Sequence, residues 1–362
     1  MNDSSSRLAG PVRVVGAGLL GASVGLGLRA RGVDVLLADA SPAHLSLAAD
    51  YGAGRSDDGS TEPVLIVVAV PPDLVATVVR AELAAHPLAV VTDVASVKVA
   101  PLAELETSGA ELSRYVGSHP LAGRERGGPS AARADLFIGR PWVVCARPEN
   151  DRAAVTLVES LILDLGGTPI EMPTAEHDAA VALVSHTPQI VASLMAKRLA
   201  NSTGAALTLA GQGLRDVTRI AGSQPELWVQ ILGANAPAVV EILRAYREDL
   251  DRVLVALGDI DVPGSRRALA EELASGNLGV SRLPGKHGQD KRYASIVVLV
   301  DDRPGELARL LAELGEIDVN LEDLRLEHSP GAQVGLAEIA VLPEVLERTI
   351  DDLSARGWRI AG

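Results

Sequence analysis

His119 follows a strand-like run and precedes Pro120, in the stretch Ser118-His119-Pro120-Leu121-Ala122-Gly123-Arg124-Glu125. An imidazole at a strand end titrates near working pH, so it can take a proton from a substrate hydroxyl while hydride leaves the same carbon. The plainer alternative is a histidine that caps the loop. Ser96 closes the preceding strand in Asp93-Val94-Ala95-Ser96. Its hydroxyl could hydrogen-bond the same substrate group, or cap the helix that contains Lys98. A polar cluster, Ser185-His186-Thr187-Pro188-Gln189, interrupts a helical stretch rich in Ala, Val and Leu. Pro188 cannot donate to the carbonyl of Val184 and should kink the helix. His186 and Gln189 there form either a cavity wall or the partners of the broken backbone. Arg219 is a cation in a glycine-flanked segment read as a loop, Gly211 to Ala221. A guanidinium there can clasp a carboxylate with two parallel hydrogen bonds, while Arg215 and Asp216 could pair with each other and hold the loop. No set of Cys, His and carboxylates has metal-ligand spacing, so no metal is expected.

These groups need a partner to accept hydride, and the N-terminal region suggests one. Val12 to Val15 form a β-branched run that breaks into Gly16-Ala17-Gly18-Leu19-Leu20-Gly21 and then into a helical pattern. Gly16 allows a tight turn, Gly18 lets backbone approach a pyrophosphate, and Gly21 lets helix and strand pack closely. The first amides of the helix face the phosphates with the positive end of its dipole. A second strand, Asp34 to Ala38, ends in Asp39, a carboxylate placed to bind the ribose hydroxyls of NAD and repel the extra phosphate of NADP. Ser41-Pro42 needs no ligand and reads as an N-cap and first helical position. Val70-Pro71-Pro72, Asp93 to Ser96 and Ser118-His119-Pro120 all follow strands, where ligands of such sheets sit.

The surrounding pattern supplies the scaffold. Strand-like runs at Val12–Val15, Val35–Ala38, Val64–Val70, Ala89–Asp93, Tyr115–Ser118, Trp142–Cys145 and Pro169–Met172 alternate with helical stretches, as in a doubly wound α/β sheet. Strand signals then stop. Ala179 to Leu199 is helical, Ser223-Gln224-Pro225-Glu226 reads as a capping box, and one long helix is predicted from there to Leu257. Such a helix in an all-α segment suits a subunit interface, so a homodimer is expected. After a helix over 264–279 and a linker at Leu283-Pro284-Gly285-Lys286-His287-Gly288, the order βαββαβ predicts a small ferredoxin-like sandwich. The expected division is 10–173 for the Rossmann-type nucleotide-binding domain and 174–281 for an all-helical substrate and dimerisation domain. A linker at 282–292 and a C-terminal module over 293–362 follow.

Composition narrows the partners. A net charge of −14 leaves no basic stripe for a nucleic-acid backbone. The longest apolar run, Val64 to Val70, is too short to span a bilayer, and Met1 to Arg7 is polar without an apolar signal core. The single Cys145 cannot form an internal disulfide and reads as a buried strand residue, which fits a reducing cytoplasm. The sequence is therefore expected to be cytoplasmic, with a small-molecule substrate and without nucleic-acid or membrane partners.

The ordered set Gly16-x-Gly18-Leu19-x-Gly21-x-Ser23, Asp93-x-x-Ser96-Val97-Lys98, Gly117-Ser118-His119-Pro120-x-Ala122-Gly123, Ser185-His186-x-Pro188, Asp216-x-Thr218-Arg219-Ile220-Ala221 and Trp228 resembles the prephenate and arogenate dehydrogenase family of tyrosine biosynthesis over roughly residues 12 to 260. The C-terminal run from Val298 to Ile360, with Asp302-Arg303-Pro304-Gly305-Glu306-Leu307, resembles an ACT domain, a module that usually binds an amino acid at a subunit interface. The resemblance implies oxidative decarboxylation of prephenate to 4-hydroxyphenylpyruvate with NAD as hydride acceptor. It implies that His119 polarises the ring hydroxyl, that Ser96 hydrogen-bonds it, that Arg219 binds a substrate carboxylate, and that Trp228 reaches the site from the same or a neighbouring subunit. Tyrosine is the implied effector of the ACT module, with Gly305 and Asn320 as its candidate ligand site. The chain departs from the family pattern in two places. Gln189 stands where many relatives carry a second histidine, and Arg124, beside Glu125, stands where a small hydroxyl residue is common. Both lie where the side chain that distinguishes prephenate from arogenate should sit. A non-catalytic sensor of dinucleotide and amino acid is the remaining reading, but it leaves His119, Ser96 and Arg219 without a joint purpose.

Overall fold

The computed structural model describes residues 6–123, 127–283, 293–327 and 334–361. The chain forms two compact units: the residues up to Arg198 with Thr218–Ala245, and Leu199–Val217 with the residues from Tyr246 onward.

The first unit begins with β1 (Val12–Val15), α1 (Leu19–Arg29), β2 (Val35–Ala38), α2 (Pro42–Asp50), β3 (Arg55–Ser56), β4 (Leu65–Val68), α3 (Val75–Ala85), β5 (Val90–Asp93), α4 (Val99–Thr107), β6 (Tyr115–Pro120), β7 (Pro141–Cys145), α5 (Arg152–Asp164) and β8 (Thr168–Glu171). The strands make one sheet in the order β3-β2-β1-β4-β5-β6-β7-β8. All pairs are parallel except β6 with β7. Strands such as Leu65-Ile66-Val67-Val68 are buried throughout, as a parallel sheet covered on both faces requires. The strand order reverses between β1 and β4, which opens a crevice at their carboxyl ends.

Register brings the chemistry to one edge. Val15 pairs with Val68, Val68 with Asp93, and Asp93 with Gly117. Three neighbouring strands therefore end nearly level and β6 runs on beyond them, so Gly16, Val70, Ser96 and His119 lie along that edge. The sequence reading ends β6 at Ser118, but the ladder runs on to Pro120. Antiparallel β7 sets Val143 opposite His119 and Trp142 opposite Pro120. His119 is thus a strand residue rather than a loop residue. The two-residue β3, exposed at both positions, is too short to leave a period in the sequence.

After β8 the chain turns helical. α6 (Thr174–Val181), a π turn at Ala182–His186 and α7 (Thr187–Leu199) form one run. The Thr187 N–H donates to the Ala182 carbonyl five residues back, and Pro188 has no N–H to offer. The expected kink is therefore an inserted residue just before the proline. By length and composition this 26-residue run could cross a membrane. Its His177, Asp178 and His186 are buried and hydrogen-bonded to other elements of the unit.

The segment read as a loop holds α8 (Gly204–Thr208), α9 (Gln212–Thr218) and a 3₁₀ turn at Arg219–Gly222. Gln212 Nε2 donates to Asp216 Oδ1 one turn along at 2.8 Å, so Asp216 supports a helix rather than a loop. The single helix expected from Pro225 to Leu257 is two, α10 (Pro225–Ala234) and α11 (Ala236–Gly258). Pro237 lacks the N–H that would bond back to Gly233, so the run breaks at Asn235. The expected capping box is also absent. Gln224 is the N-cap, and Ser223 Oγ donates to the Ile220 carbonyl at 2.9 Å.

The second unit also carries α12 (Ser265–Ser281), followed by β9 (Ala294–Asp301), α13 (Glu306–Glu316), β10 (Asp323–Glu327), β11 (Val334–Val341), α14 (Leu346–Ala355) and β12 (Arg359–Ala361). The four strands form an antiparallel sheet in the order β10-β11-β9-β12. Ile296, Val298, Val300, Ala337, Ile339 and Val341 share one face and pack with Leu310, Leu314 and Leu353 of the two helices. The expected linker lies outside the described residues except for Arg282 and Leu283.

Gly25 on α1 meets the backbone of the turn after α2. A Cβ there would fall on the Ala53 carbonyl oxygen. Gly25→Ala should lower unfolding stability by about 1–3 kcal/mol through overpacking, read as a lower denaturant midpoint at an unchanged slope.

Candidate active site

The three glycines of the turn sit in three different surroundings. Gly16 has φ of +100°, and a Cβ there would strike the Ala69 carbonyl. At Gly21 a Cβ would fall on the Gly16 carbonyl oxygen and crowd Val14 and Ala69. Gly18, the N-cap of α1, has nothing within 4 Å of the position a Cβ would take. Its backbone therefore faces open space at the positive end of the helix dipole, as a bound pyrophosphate requires. Ala17, Leu19 and Leu20 carry the adjoining amides. Asp39 stands beside this turn and accepts from Ala17 N at 2.6 Å and Ser41 N at 2.7 Å. A carboxylate held there suits a ribose diol and opposes a 2′-phosphate. Val70 is half-buried and Pro71 exposed, directly after β4. These residues fit a dinucleotide without NADP's extra phosphate.

Further along the edge stands His119, half-buried. Its neighbour Ser118 is buried, and the Ser118 hydroxyl donates to the Asp93 carbonyl at 2.8 Å while accepting from Trp142 Nε1 at 3.0 Å. The strand is thereby fixed on either side of the catalytic candidate. His119 Nδ1 lies 2.9 Å from His177 Nε2, and His177 Nδ1 lies 2.7 Å from Asp178 Oδ1. The Asp178 carboxylate also accepts from Lys98 N and Val99 N, both at 2.8 Å. The α4 amides are capped by Asp178, so the alternative in which Ser96 caps that helix is set aside. Ser96 is half-buried in the loop after β5. The Lys98 ammonium turns instead to the buried Asp93, which also accepts from Tyr115 OH at 2.8 Å. Burial, reinforced by His177, Lys98 and His186, holds the His119 imidazole well below its usual pKa. It is uncharged at neutral pH and able to accept a proton.

A second histidine adjoins this chain. His186 is buried, and its Nδ1 lies 3.1 Å from Asn235 Nδ2, which also donates to the Asp178 carbonyl at 2.8 Å. Trp228 stands edge-on to His186 with ring centroids 6.2 Å apart. Gln189 is buried on α7, with Nε2 3.4 Å from Ser193 Oγ. The neighbouring Thr187 hydroxyl is buried without a hydrogen-bond partner among the described residues. Arg219 is exposed at the start of its 3₁₀ turn. Arg124 and Glu125 lie outside the described residues. Cys145 is buried, and burial pushes its thiol up to about 12, so it is no nucleophile. Among the described residues no group of His, Cys, Asp and Glu is arranged to hold a metal ion.

The sequence reading missed His177, Asp178 and Asn235. The first two form an ionisable pair early in a helix that becomes apolar, which was the available signal. Asn235 precedes Ala236-Pro237, where a helix must break.

Comparisons with known proteins agree with this geometry. The model of the prephenate dehydrogenase nucleotide-binding domain matches residues 24–171, and that of the prephenate dehydrogenase dimerization domain matches residues 173–271. The Streptomyces niveus protein named "Probable prephenate dehydrogenase NovF" is 36% identical over 353 residues, covering 95% of this chain and 98% of its own. The crystal structure of prephenate dehydrogenase from A. aeolicus, in complex with hydroxyphenyl propionate and NAD+, superposes with a TM-score of 0.66 at 26% identity, over 76% of this chain and 99% of that one. Synechocystis arogenate dehydrogenase gives 0.59 at 27% identity, over 74% and 99%. Fold, glycine turn and histidine edge define an NAD-dependent dehydrogenase. The chain belongs to the prephenate dehydrogenase family.

The buried histidines tie stability to pH. The His186 pKa is pushed down to about 4, first by burial, with the Asp178 charge acting upward and His177 downward. Its ordinary value is 6.5, so as pH falls the unfolded chain takes up the proton first. The stability tied to this group is present above about pH 6.5 and lost between there and about pH 4, on the order of 3 kcal/mol. His119 acts in the same direction. His186→Gln should flatten the fall in denaturant midpoint across that window.

Proposed function

We propose that this enzyme oxidatively decarboxylates prephenate to 4-hydroxyphenylpyruvate. The observation that carries the reading is an uncharged histidine on the same sheet edge as the glycine turn, with two strands, β4 and β5, between them. NAD+ when bound supplies the hydride acceptor. His119 takes the proton of the ring hydroxyl, whose O–H electron pair becomes the developing C=O bond as the carbinol C–H pair departs. The C–CO₂ pair then enters the ring, CO₂ leaves, and the oxygen recovers the proton as a phenol. Ser96 hydrogen-bonds the reacting oxygen. Arg219 clasps a substrate carboxylate, and His186, Gln189 and Trp228 line the remainder of the site.

Arogenate, which has an amino group where prephenate has a keto group, is the second reading. It is favoured by Gln189, whose amide stands where many relatives carry a histidine, and by the likeness to an arogenate dehydrogenase. We assign residues 10–173 to nucleotide binding and 174–281 to substrate binding and to a homodimer interface, the latter supported by the dimerization-domain match. The module over 293–362 is assigned as an ACT domain that binds tyrosine. Gly305 there opens α13 at φ of +92°, and Asn320 donates to Glu322 at 3.3 Å. The lone buried cysteine favours a reducing cytoplasm.

Steady-state NADH formation with prephenate and with arogenate, each with and without tyrosine, tests this assignment. A higher kcat/KM on arogenate would transfer the assignment to that substrate. His119→Asn should lower kcat by about 10²–10⁴ while NAD affinity stays near normal, as expected on losing a general base. Arg219→Ala should chiefly raise KM, by roughly tenfold or more. An unchanged KM would remove Arg219 from substrate binding.

A further inference from the structure

We infer that His177 and Asp178 are positioning residues that fix the tautomer of His119, leaving its Nε2 as the basic nitrogen. The inference rests on the proposed role of His119 as base, and it concerns how that base is set. Three contacts carry it. Asp178 Oδ1 is 2.7 Å from His177 Nδ1, and a carboxylate oxygen can only accept, so the hydrogen of a neutral His177 lies on Nδ1. His177 Nε2 is then a bare acceptor. It lies 2.9 Å from His119 Nδ1, which must supply the hydrogen between them. A neutral His119 accordingly carries its single hydrogen on Nδ1, and its lone pair is on Nε2.

The chain is anchored at its far end. Asp178 accepts two backbone amides, Lys98 N and Val99 N, from the start of α4, and its own backbone carbonyl accepts from Asn235 Nδ2. The carboxylate therefore cannot rotate away from His177 without uncapping a helix. His177 is fully buried, so water does not compete for either ring nitrogen. Once the base has taken its proton, the His119 cation still donates through Nδ1 to His177, which is backed by the Asp178 charge. The logic is that of a carboxylate orienting and supporting a catalytic imidazole, with a second imidazole placed between them. His186 is held outside this chain. Asn235 Nδ2 donates to its Nδ1, so its hydrogen lies on Nε2.

The test reads the tautomer directly. ¹⁵N NMR of the full-length enzyme labelled at histidine should show His119 with a protonated Nδ1 and a bare Nε2 at neutral pH. In His177→Leu this signature should be lost, with kcat falling about 10–100-fold while KM and the NAD dissociation constant change by less than about threefold. In His177→Gln the amide oxygen can accept the same hydrogen, and both signature and rate should return in part. A wild-type His119 protonated on Nε2 would overturn the inference, as would a His177→Leu enzyme of unchanged kcat. The wild-type spectrum keeps the test open should His177→Leu fail to fold. If instead His119→Asn were fully active, the role of His119 as base would fall, whereas the tautomer measured by NMR would still stand or fall on its own.

Discussion

The carboxylate of Asp178 is the constraint on which the rest of the site depends. It is buried, and the nearby Lys98 ammonium is paired with Asp93 rather than with it. Its charge is satisfied by two amides at the α4 N-terminus and by the His177 ring. A charge so placed is tolerated because every donor is aimed at it and the helix dipole is favourable. The same few atoms therefore join three functions: they start α4, hold α6 against the sheet, and set the ring that touches His119. In this arrangement the helical run after β8 completes the catalytic edge.

The neighbouring pair of Asp93 and Lys98 plays a complementary part. Both are buried, Tyr115 adds a hydrogen bond, and the ammonium lies close enough to disfavour a second positive charge on His119. One buried acid thus supports the imidazolium through His177, while the nearby base opposes it. Burial is the larger influence that keeps the resting ring neutral, and the Lys98 charge adds to it.

Much of this was legible in the sequence because its causes are local. Gly16, Gly18 and Gly21 announce a turn through spacing alone, and the structure gives Gly16 and Gly21 distinct steric reasons while Gly18 faces open space. Ser41-Pro42 caps α2 as read, with His44 N donating to Ser41 Oγ. His119 stood out because it follows a strand-like run and precedes Pro120. Its partner could not, since His177 lies 58 residues further on and is brought near only by the pairing of β6 with β7 and β8. The cap of α4 was misplaced for the same reason: a local serine was available, yet the acceptor used is 80 residues from Lys98. The break at Asn235 was local and still missed, because the apolar period continues through Pro237 and hides the missing N–H.

The π turn at Ala182–His186 has a consequence for how this segment can change in length. It holds one residue more than an α-helical path would need, between His177 and Asp178 on one side and Gln189 on the other. Each residue of an α-helix turns the chain by about 100°. Deleting one residue between Ala182 and Ser185 would therefore remove the π turn with every hydrogen-bonding side chain still present, although Pro188 would still leave one carbonyl without its N–H. Yet the faces before and after the deletion would be turned about a quarter of a revolution against each other. The helix would become more regular and the site would come apart. The irregular turn acts as the phase setting between the half that carries His177 and Asp178 and the half that carries Gln189.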